Sequence, residues 1–324
     1  MLESMRLARS ALAVGAGLGA YSLVEPHWLR LVERSVEVGP GCPPLTILHL
    51  SDTHMTRWTS HLKDWIQALA RRLGNSVDLV LMTGDMIDED AGIPVVLEAL
   101  EPLEARLGRF YVLGSHDLFV SSHQGYLKYL SASTTAPPPQ KTRIEELESG
   151  LRGQGWIALT NRTELLDTAG GRVRLAGVDD PYLGRHSTSH IARAEGECAA
   201  IALVHAPDVV SEWALNGFDL IVGGHTHGGQ LRLPGWGSLV TNCRLPNALS
   251  QGLHRIGHTW LHVSPGLGQS RFSPIRFWCR PEATLLRLVP SSREPDGAFS
   301  HIRPGKTSPM THGATSSPAG TPQG

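Results

Sequence analysis

Short apolar runs recur along the middle of the chain, and several of them stop on an acid or a histidine. Leu45-Thr-Ile-Leu-His-Leu50 runs into Ser51-Asp52-Thr53-His54, and Val77-Asp-Leu-Val-Leu-Met-Thr83 runs into Gly84-Asp85. Phe110-Tyr-Val-Leu113 runs into Gly114-Ser115-His116-Asp117, Ile201-Ala-Leu-Val204 into His205, and Leu220-Ile-Val222 into Gly223-Gly224-His225-Thr226-His227. Runs of this length and β-branched content predict buried strands.

Helical spacing fills some of the intervals. Within His61 to Asn75, Leu62, Trp65, Ile66, Leu69 and Leu73 share one face, and Gly74 is placed as a stop. Ile93 to Leu107 is helix-like, with Pro102 as a break or kink. Pro207 opens a third helix over Asp208 to Asn216, and Gly217 closes it. Strands alternating with helices predict an α/β sheet with crossover connections. The later runs, Arg172 to Val178, Trp260 to Val263 and Ala283 to Val289, have no clear helix between them and predict a second, more antiparallel layer.

The two ends read differently. Arg6 and Arg9 precede an apolar stretch from Ala11 to Val24, the pattern of a secretory signal or membrane anchor. The stretch is short of the ~20 apolar residues of a spanning helix, and Tyr21, Trp28, Leu29, Leu31 and Val32 extend it toward a membrane interface. Cleavage and retention both fit, and the flanking arginines put the main domain outside the cytoplasm if the segment spans. From Pro290 to Gly324 the chain is rich in Ser, Pro, Gly and Thr and predicts disorder. Ser131 to Lys141, with Pro137-Pro138-Pro139, predicts a surface insertion. The resulting division is a leader and linker over 1–42, one folded domain over 43–289, and a tail over 290–324.

Hydrophobic residues at 41% and charged residues at 18% suit a globular core, and a net charge of -1 gives no case for nucleic acid. Cys42, Cys198, Cys243 and Cys279 form no Cys-x-x-Cys pair, which argues against a zinc ribbon and for free buried thiols.

Candidate chemistry lies at the strand ends, where α/β sheets collect their ligands. Ser115, His116 and Asp117 have the residue types of a hydrolytic triad, but no Gly-x-Ser-x-Gly elbow surrounds Ser115, and triad members are normally distant in sequence. Carboxylate and imidazole together suit divalent Mn, Fe, Zn or Co. Asp52 and His54, two apart, project from one side of an extended segment, and His225 and His227 repeat the arrangement. Asp85 has two oxygens and can bridge two ions, while glycines beside Asp85, Ser115 and His225 allow tight turns.

In this order, Asp52-x-His54, Gly84-Asp85, Gly114-Ser115-His116-Asp117, His205 and Gly224-His225-x-His227 resemble the calcineurin-like metallophosphoesterases over roughly residues 43–289. The resemblance implies a four-layer α/β/β/α sandwich carrying two divalent metal ions, Mn, Fe or Zn. Asp52, His54, Asp85 and His227 would hold one ion; Asp85, Ser115, His205 and His225 would hold the other. His116 would face the phosphate, oriented by Asp117, and metal-activated hydroxide would attack a phosphodiester or pyrophosphate. Gly224-His-Thr-His-Gly-Gly-Gln230, Val204-His-Ala-Pro-Asp208, Gly177-Val-Asp-Asp-Pro181 and Glu25-Pro-His-Trp28 after an apolar leader resemble a bacterial membrane-associated or exported branch. That branch includes UDP-2,3-diacylglucosamine pyrophosphatases, which implies a lipid-linked or nucleotide-sugar substrate and a membrane surface as partner. Ser115 departs from the family's usual Asn and is a poorer donor. A catalytically weak metal-binding protein and a serine hydrolase are the rival readings.

His61, His123, His186, His190, His254, His258, His262, His301 and His312 read as surface or loop residues, and Asp88-Glu89-Asp90 as a solvated acidic run. Asp179 and Asp180 fit a rim or a turn before Pro181. The mixed basic and apolar stretch from Arg271 to Arg280 fits either core packing or a lipid-facing lip.

Overall fold

The computed structural model describes residues 2–39, 41–121, 140–188, 191–214, 216–241 and 243–291. The tail beyond Ser291, most of the Ser131 to Lys141 insertion, and His123, His190, His301 and His312 lie outside the described residues.

The apolar runs form two six-stranded sheets. The first has the order β1-β14-β2-β3-β4-β5: β1 is Arg30–Val38, β2 Leu45–Leu50, β3 Leu79–Thr83, β4 Gly108–Val112, β5 Trp156–Ala158 and β14 Glu282–Pro290. The second has the order β12-β13-β9-β8-β7-β6: β6 is Arg162–Thr168, β7 Gly171–Gly177, β8 Glu197–Leu203, β9 Leu220–Gly223, β12 Gly252–Ile256 and β13 Thr259–Val263. A small hairpin, β10 (Arg232–Leu233) and β11 (Gly237–Ser238), stands apart from both.

Successive residues of a central strand serve opposite layers, which explains why these runs show no polar alternation. Ile47, Leu79, Leu81 and Phe110 point into the middle layer, against Val173, Leu175, Ile201 and Leu203 of the second sheet. Leu48, Leu50, Val80 and Met82 point outward, against Leu62, Ile66 and Leu69 of α2 (Ser60–Leu73) and Val96, Ala99 and Leu100 of α3 (Ile93–Leu100). Behind the second sheet, Ala200, Ala202, Ile221 and Leu261 pack on Val210, Trp213 and Phe218. The result is the four-layer α/β/β/α sandwich, and α3 stops just short of Pro102.

Two expectations change. The second layer is not chiefly antiparallel: β7, β8, β9 and β13 run parallel, and only the edge strands β6 and β12 pair antiparallel. The run over Ala283 to Val289 belongs instead to the first sheet, as β14, parallel to β1 and antiparallel to β2. β1 also moves the start of the folded part. Arg30 to Val38 pair residue for residue with Glu282 to Pro290, ahead of the expected boundary at residue 43.

Upstream, α1 (Leu2–Val24) leaves its apolar side chains in the open, with Leu12 74% and Val14 62% exposed. The stretch Ser4–His27 is long and apolar enough to cross a membrane. Its C-terminal end is tied to the domain: the Arg276 amide donates to the Ser22 carbonyl at 3.0 Å, and the Tyr21 ring meets Phe277 at 5.4 Å between centroids. The cysteines are free thiols, Cys42 and Cys279 buried and Cys198 and Cys243 half-buried.

Candidate metal centre

The loops beyond β2, β3, β4, β8 and β9 meet at one end of the sandwich. The loop after β2 is held to the loop after β3: Asp52 N donates to Gly84 O, His54 N to Asp85 O and Met55 N to Met86 O, at 3.0, 3.0 and 2.9 Å. Asp52, His54, Asp85, His225 and His227 all have φ between 42 and 68°. The strands have therefore ended, and the pairs Asp52/His54 and His225/His227 are not on extended backbone as the spacing suggests. Left-handed backbone at a non-glycine residue costs roughly 1 kcal/mol or more, and clustering it here marks a functional site.

These strained residues aim their side chains at one another. Asp85 Oδ2 lies 3.3 Å from His205 Nε2 and 3.7 Å from His54 Nε2. His54 Nε2 is 3.1 Å from His227 Nε2, and His225 Nδ1 is 3.2 Å from His205 Nε2. Asp52 Oδ1 is 3.5 Å from His227 Nε2, and the Asp52 carboxylate accepts from the His225 amide at 3.0 Å. Metal–ligand bonds of about 2.1 Å set adjacent donors roughly 3.0–3.4 Å apart, so these spacings fit divalent cations. Asp52, His54 and His227 form one group able to hold a metal, and Asp52, Asp85 and His205 form another. The His54 and His227 nitrogens that face each other at 3.1 Å are spaced as two ligands of one cation would be, and among the described residues His227 Nδ1 is buried without a partner.

The electrostatics agree. Burial raises Asp52 above the usual carboxylate range. Burial works against charge on Asp85 too, but His205, His116 and His54 hold it well below that range. Burial likewise disfavours His205 as a cation, yet Asp85 and Asp52 keep it well above the usual imidazole value. Burial and the neighbouring His54 hold His227 well below that value. A buried cluster of carboxylates facing imidazoles is the donor set of a borderline divalent ion.

Ser115 heads α4 (Ser115–Leu118), a single turn rather than a strand end, and the next amide, that of His116, donates to Asp85 Oδ1 at 2.8 Å. Among the described residues the half-buried Ser115 hydroxyl has no hydrogen-bond partner, so no nucleophile–base pair forms with His116. Nor does Asp117 orient His116. Asp117 accepts from the amides of Met86 and Gly114 at 2.7 and 3.0 Å, and so ties the α4 loop to the one after β3.

The residue that holds His116 is Asp88. Its Oδ1 lies 3.3 Å from His116 Nδ1 and 3.2 Å from His54 Nδ1, and it accepts from the Ser121 hydroxyl at 2.5 Å. Asp88 is fully buried, not part of a solvated run. Burial works against its charge, but His116 and His54 hold it far below the ordinary carboxylate range. Burial also opposes charge on His116, which Asp85 and Asp88 nevertheless push up to about 9. Carboxylate partners of this kind fix the tautomer and aim of ligand imidazoles, and losing one costs 10- to 100-fold. Asp88→Asn is expected to lower kcat/KM on bis-p-nitrophenyl phosphate by about that factor. Steady-state kinetics beside circular dichroism checks it; unchanged kinetics in a folded variant refutes the role.

A second support runs through the core. Ser51 donates to Asp52, Thr83 to Ser51 at 2.7 Å, and His49 Nε2 meets Thr83 Oγ1 at 2.9 Å. His262 Nδ1 meets His49 Nδ1 at 2.9 Å. Burial keeps both rings neutral, pushing His49 down to about 3. One proton ordering satisfies the chain: every donor points toward the Asp52 carboxylate. His262, which reads as a surface residue, is thus wholly buried.

Glycine completes the cradle where a side chain cannot fit. A Cβ on Gly114 would lie 2.3 Å from Asp85 Oδ1 and 2.8 Å from His205 Cε1. One on Gly224 would lie 2.0 Å from Ser51 Oγ and 2.2 Å from Asp52 Oδ2. At the rim, the Tyr182 ring lies 5.0 Å from that of His225, tilted by 43°, and Asp180 caps the Tyr182 amide at 2.9 Å.

A four-layer sandwich whose strand-end loops gather carboxylates and imidazoles around Asp85 defines a metal-dependent phosphoesterase. Comparison with known proteins agrees. The calcineurin-like phosphoesterase family matches residues 45–229, more than half of the chain, and the chain belongs to that family. It is 28% identical over 292 residues to the uncharacterized metallophosphoesterase YkuE of Bacillus subtilis, covering 87% of this chain and 93% of that one. It is 26% identical over 285 residues to the phosphodiesterase YaeI of Escherichia coli, covering 86% and 96%. A transmembrane protein with metallophosphoesterase domain from Bos taurus is 27% identical over 288 residues, covering 84% of this chain and 59% of its own.

Proposed function

We propose that this metallophosphoesterase hydrolyses a phosphodiester or pyrophosphate at a dinuclear centre, and that α1 holds the domain at a bilayer. Asp52, His54, Asp85 and His227 would hold one divalent cation; Asp85, Ser115, His205 and His225 would hold the other. The observation that carries this reading is the position of Asp85 Oδ2 between His205 and His54, at 3.3 and 3.7 Å, as a bridging carboxylate requires. Two such cations, when bound, lower the pKa of a water nucleophile and neutralise charge on the phosphoryl oxygens.

The chain's own residues do the rest. His116 has its Nδ1 committed to Asp88 and Ser121, which leaves Nε2 to donate to a phosphate oxygen or to the leaving oxygen. Asp117 and the His116 amide keep the α4 loop over Asp85. Ser115 would contribute a neutral hydroxyl where a longer amide would reach further, which would make the second cation the more exchangeable one. A phosphodiester is favoured by the likeness to the phosphodiesterase YaeI, and a lipid-linked one by the exposed α1.

Metal analysis with a turnover assay tests this. Purified protein is expected to carry up to two divalent ions per chain and to hydrolyse bis-p-nitrophenyl phosphate. Chelation should abolish turnover and Mn²⁺ should restore it. Turnover that survives complete metal removal would refute the reading.

A further inference from the structure

The exposed aromatic residues of this domain are not scattered. Trp28, Trp58, Trp236 and Trp278 are 45, 79, 87 and 59% exposed, whereas Trp156 and Trp213 are buried. Contacts of neighbouring residues tie the segments that carry them to the end of α1. Tyr21, in its last turn, sets its ring edge-on to Trp28 at 5.7 Å and to Phe277 at 5.4 Å. Phe277 adjoins Trp278 and bonds the hairpin strand on both sides, its amide donating to Gln230 O at 2.8 Å and its carbonyl accepting from Arg232 N at 2.9 Å. The hairpin tip carries Trp236, followed by Leu239 and Val240 at 50 and 69% exposure. On the other flank His27 packs on His61 at 4.9 Å, at the start of the helix that Trp58 precedes.

The backbone holds this arrangement at a cost. Trp278 has φ 57° and Gln230 φ 47°, where bulky side chains are rare. Trp278 is kept outward while its neighbours Arg276 and Cys279 are buried, Arg276 donating to the Gly268 carbonyl at 2.6 Å. The stretch from Arg271 to Arg280 therefore divides, with Arg276 as core and Trp278 as surface.

We infer that Trp28, Trp58, Trp236 and Trp278, with Leu239 and Val240, form a collar that seats the domain on the bilayer entered by α1. Indole rings prefer the headgroup level, and the apolar α1, whose last turn meets Trp28 and Phe277 through Tyr21, supplies the membrane there. Arg57, 62% exposed beside the Trp58 ring and paired with Glu89 only at 3.9 Å, suits anionic headgroups. His54 lies in the loop that leads to Trp58, and His227 in the turn that leads to the hairpin, so the collar and the metal centre share two loops. The inference rests on the reading of α1 given above.

The test uses the full chain with vesicles of phosphatidylethanolamine and phosphatidylglycerol containing acyl-chain-brominated phosphatidylcholine. Flotation reads attachment, and bromine quenching of indole emission reads which tryptophans reach the acyl chains. The parent is expected to float and be quenched. W58F/W236F/W278F, which keeps the apolar surface but removes its fluorophores, should float equally, lose most of the quenching, and hydrolyse bis-p-nitrophenyl phosphate unchanged. A chain that does not float overturns both the α1 reading and the collar. A chain that floats with no quenching, or with quenching equal in parent and variant, overturns the collar alone.

Discussion

Asp85→Asn is expected to lower bis-p-nitrophenyl phosphate turnover by roughly a thousandfold, the several kcal/mol that metal-ion catalysis contributes. Asp85 Oδ2 lies 3.7 Å from His54 Nε2 and 3.3 Å from His205 Nε2, so its charge would serve both proposed cations. An amide keeps the shape and the acceptor for the His116 amide but removes the charge. Metal content should therefore fall with activity. Thermal unfolding of the metal-free protein should also move down, because His205, His116 and His54 hold the Asp85 carboxylate well below its usual range and lose that buried partner in the variant. Near-parental turnover in Asp85→Asn, or full metal content with lost turnover, would contradict a bridging role.

Gly224→Ala is expected to remove activity to a similar extent by sterics alone. Its Cβ would sit 2.0 Å from the Ser51 hydroxyl and 2.2 Å from Asp52 Oδ2, far inside van der Waals contact. Backbone and side chains would have to part, which costs about 1–3 kcal/mol in a packed site. The displaced group is Asp52, together with the hydrogen-bonded chain through Ser51, Thr83 and His49 behind it. Kinetics and a denaturation curve on one preparation check both effects. An active, undestabilised variant would show that the loop shifts freely and that the cradle is not rigid.

Much of this site was legible in the sequence because its ligands fall where apolar runs stop. The strands, the α2 face and the ends at Asp52, Asp85, His205 and His225 follow from local pattern. What was not legible depends on distant partners. Asp88 looks like surface within Asp88-Glu89-Asp90, but the Arg271 amide 183 positions away donates to it at 3.1 Å and the loop there closes over it. His49 and His262, 213 positions apart, meet only because β2 and β13 lie on facing sheets. The left-handed backbone at Asp52 and His54 escapes a reading by strand period, since that period ends with the strand. The placing of β14 escapes it too, because a strand's own residues do not say which sheet it completes.

That last strand sets an order of events. β14 is inserted between β1, which follows directly on α1, and β2, so the first and second strands of the chain never pair with each other. While synthesis proceeds from the N-terminus, β1 has no partner and β2 has an open edge until Glu282 to Pro290 emerge. Gly266 and Gly268, which pass against Asp52 and Thr53, come almost as late. A chain halted before Glu282 would keep every one of the candidate metal ligands and still lack the seam that closes the sheet. Closure of the sheet that carries Asp52 and Asp85 at its strand ends thus waits for nearly the last residues of the domain.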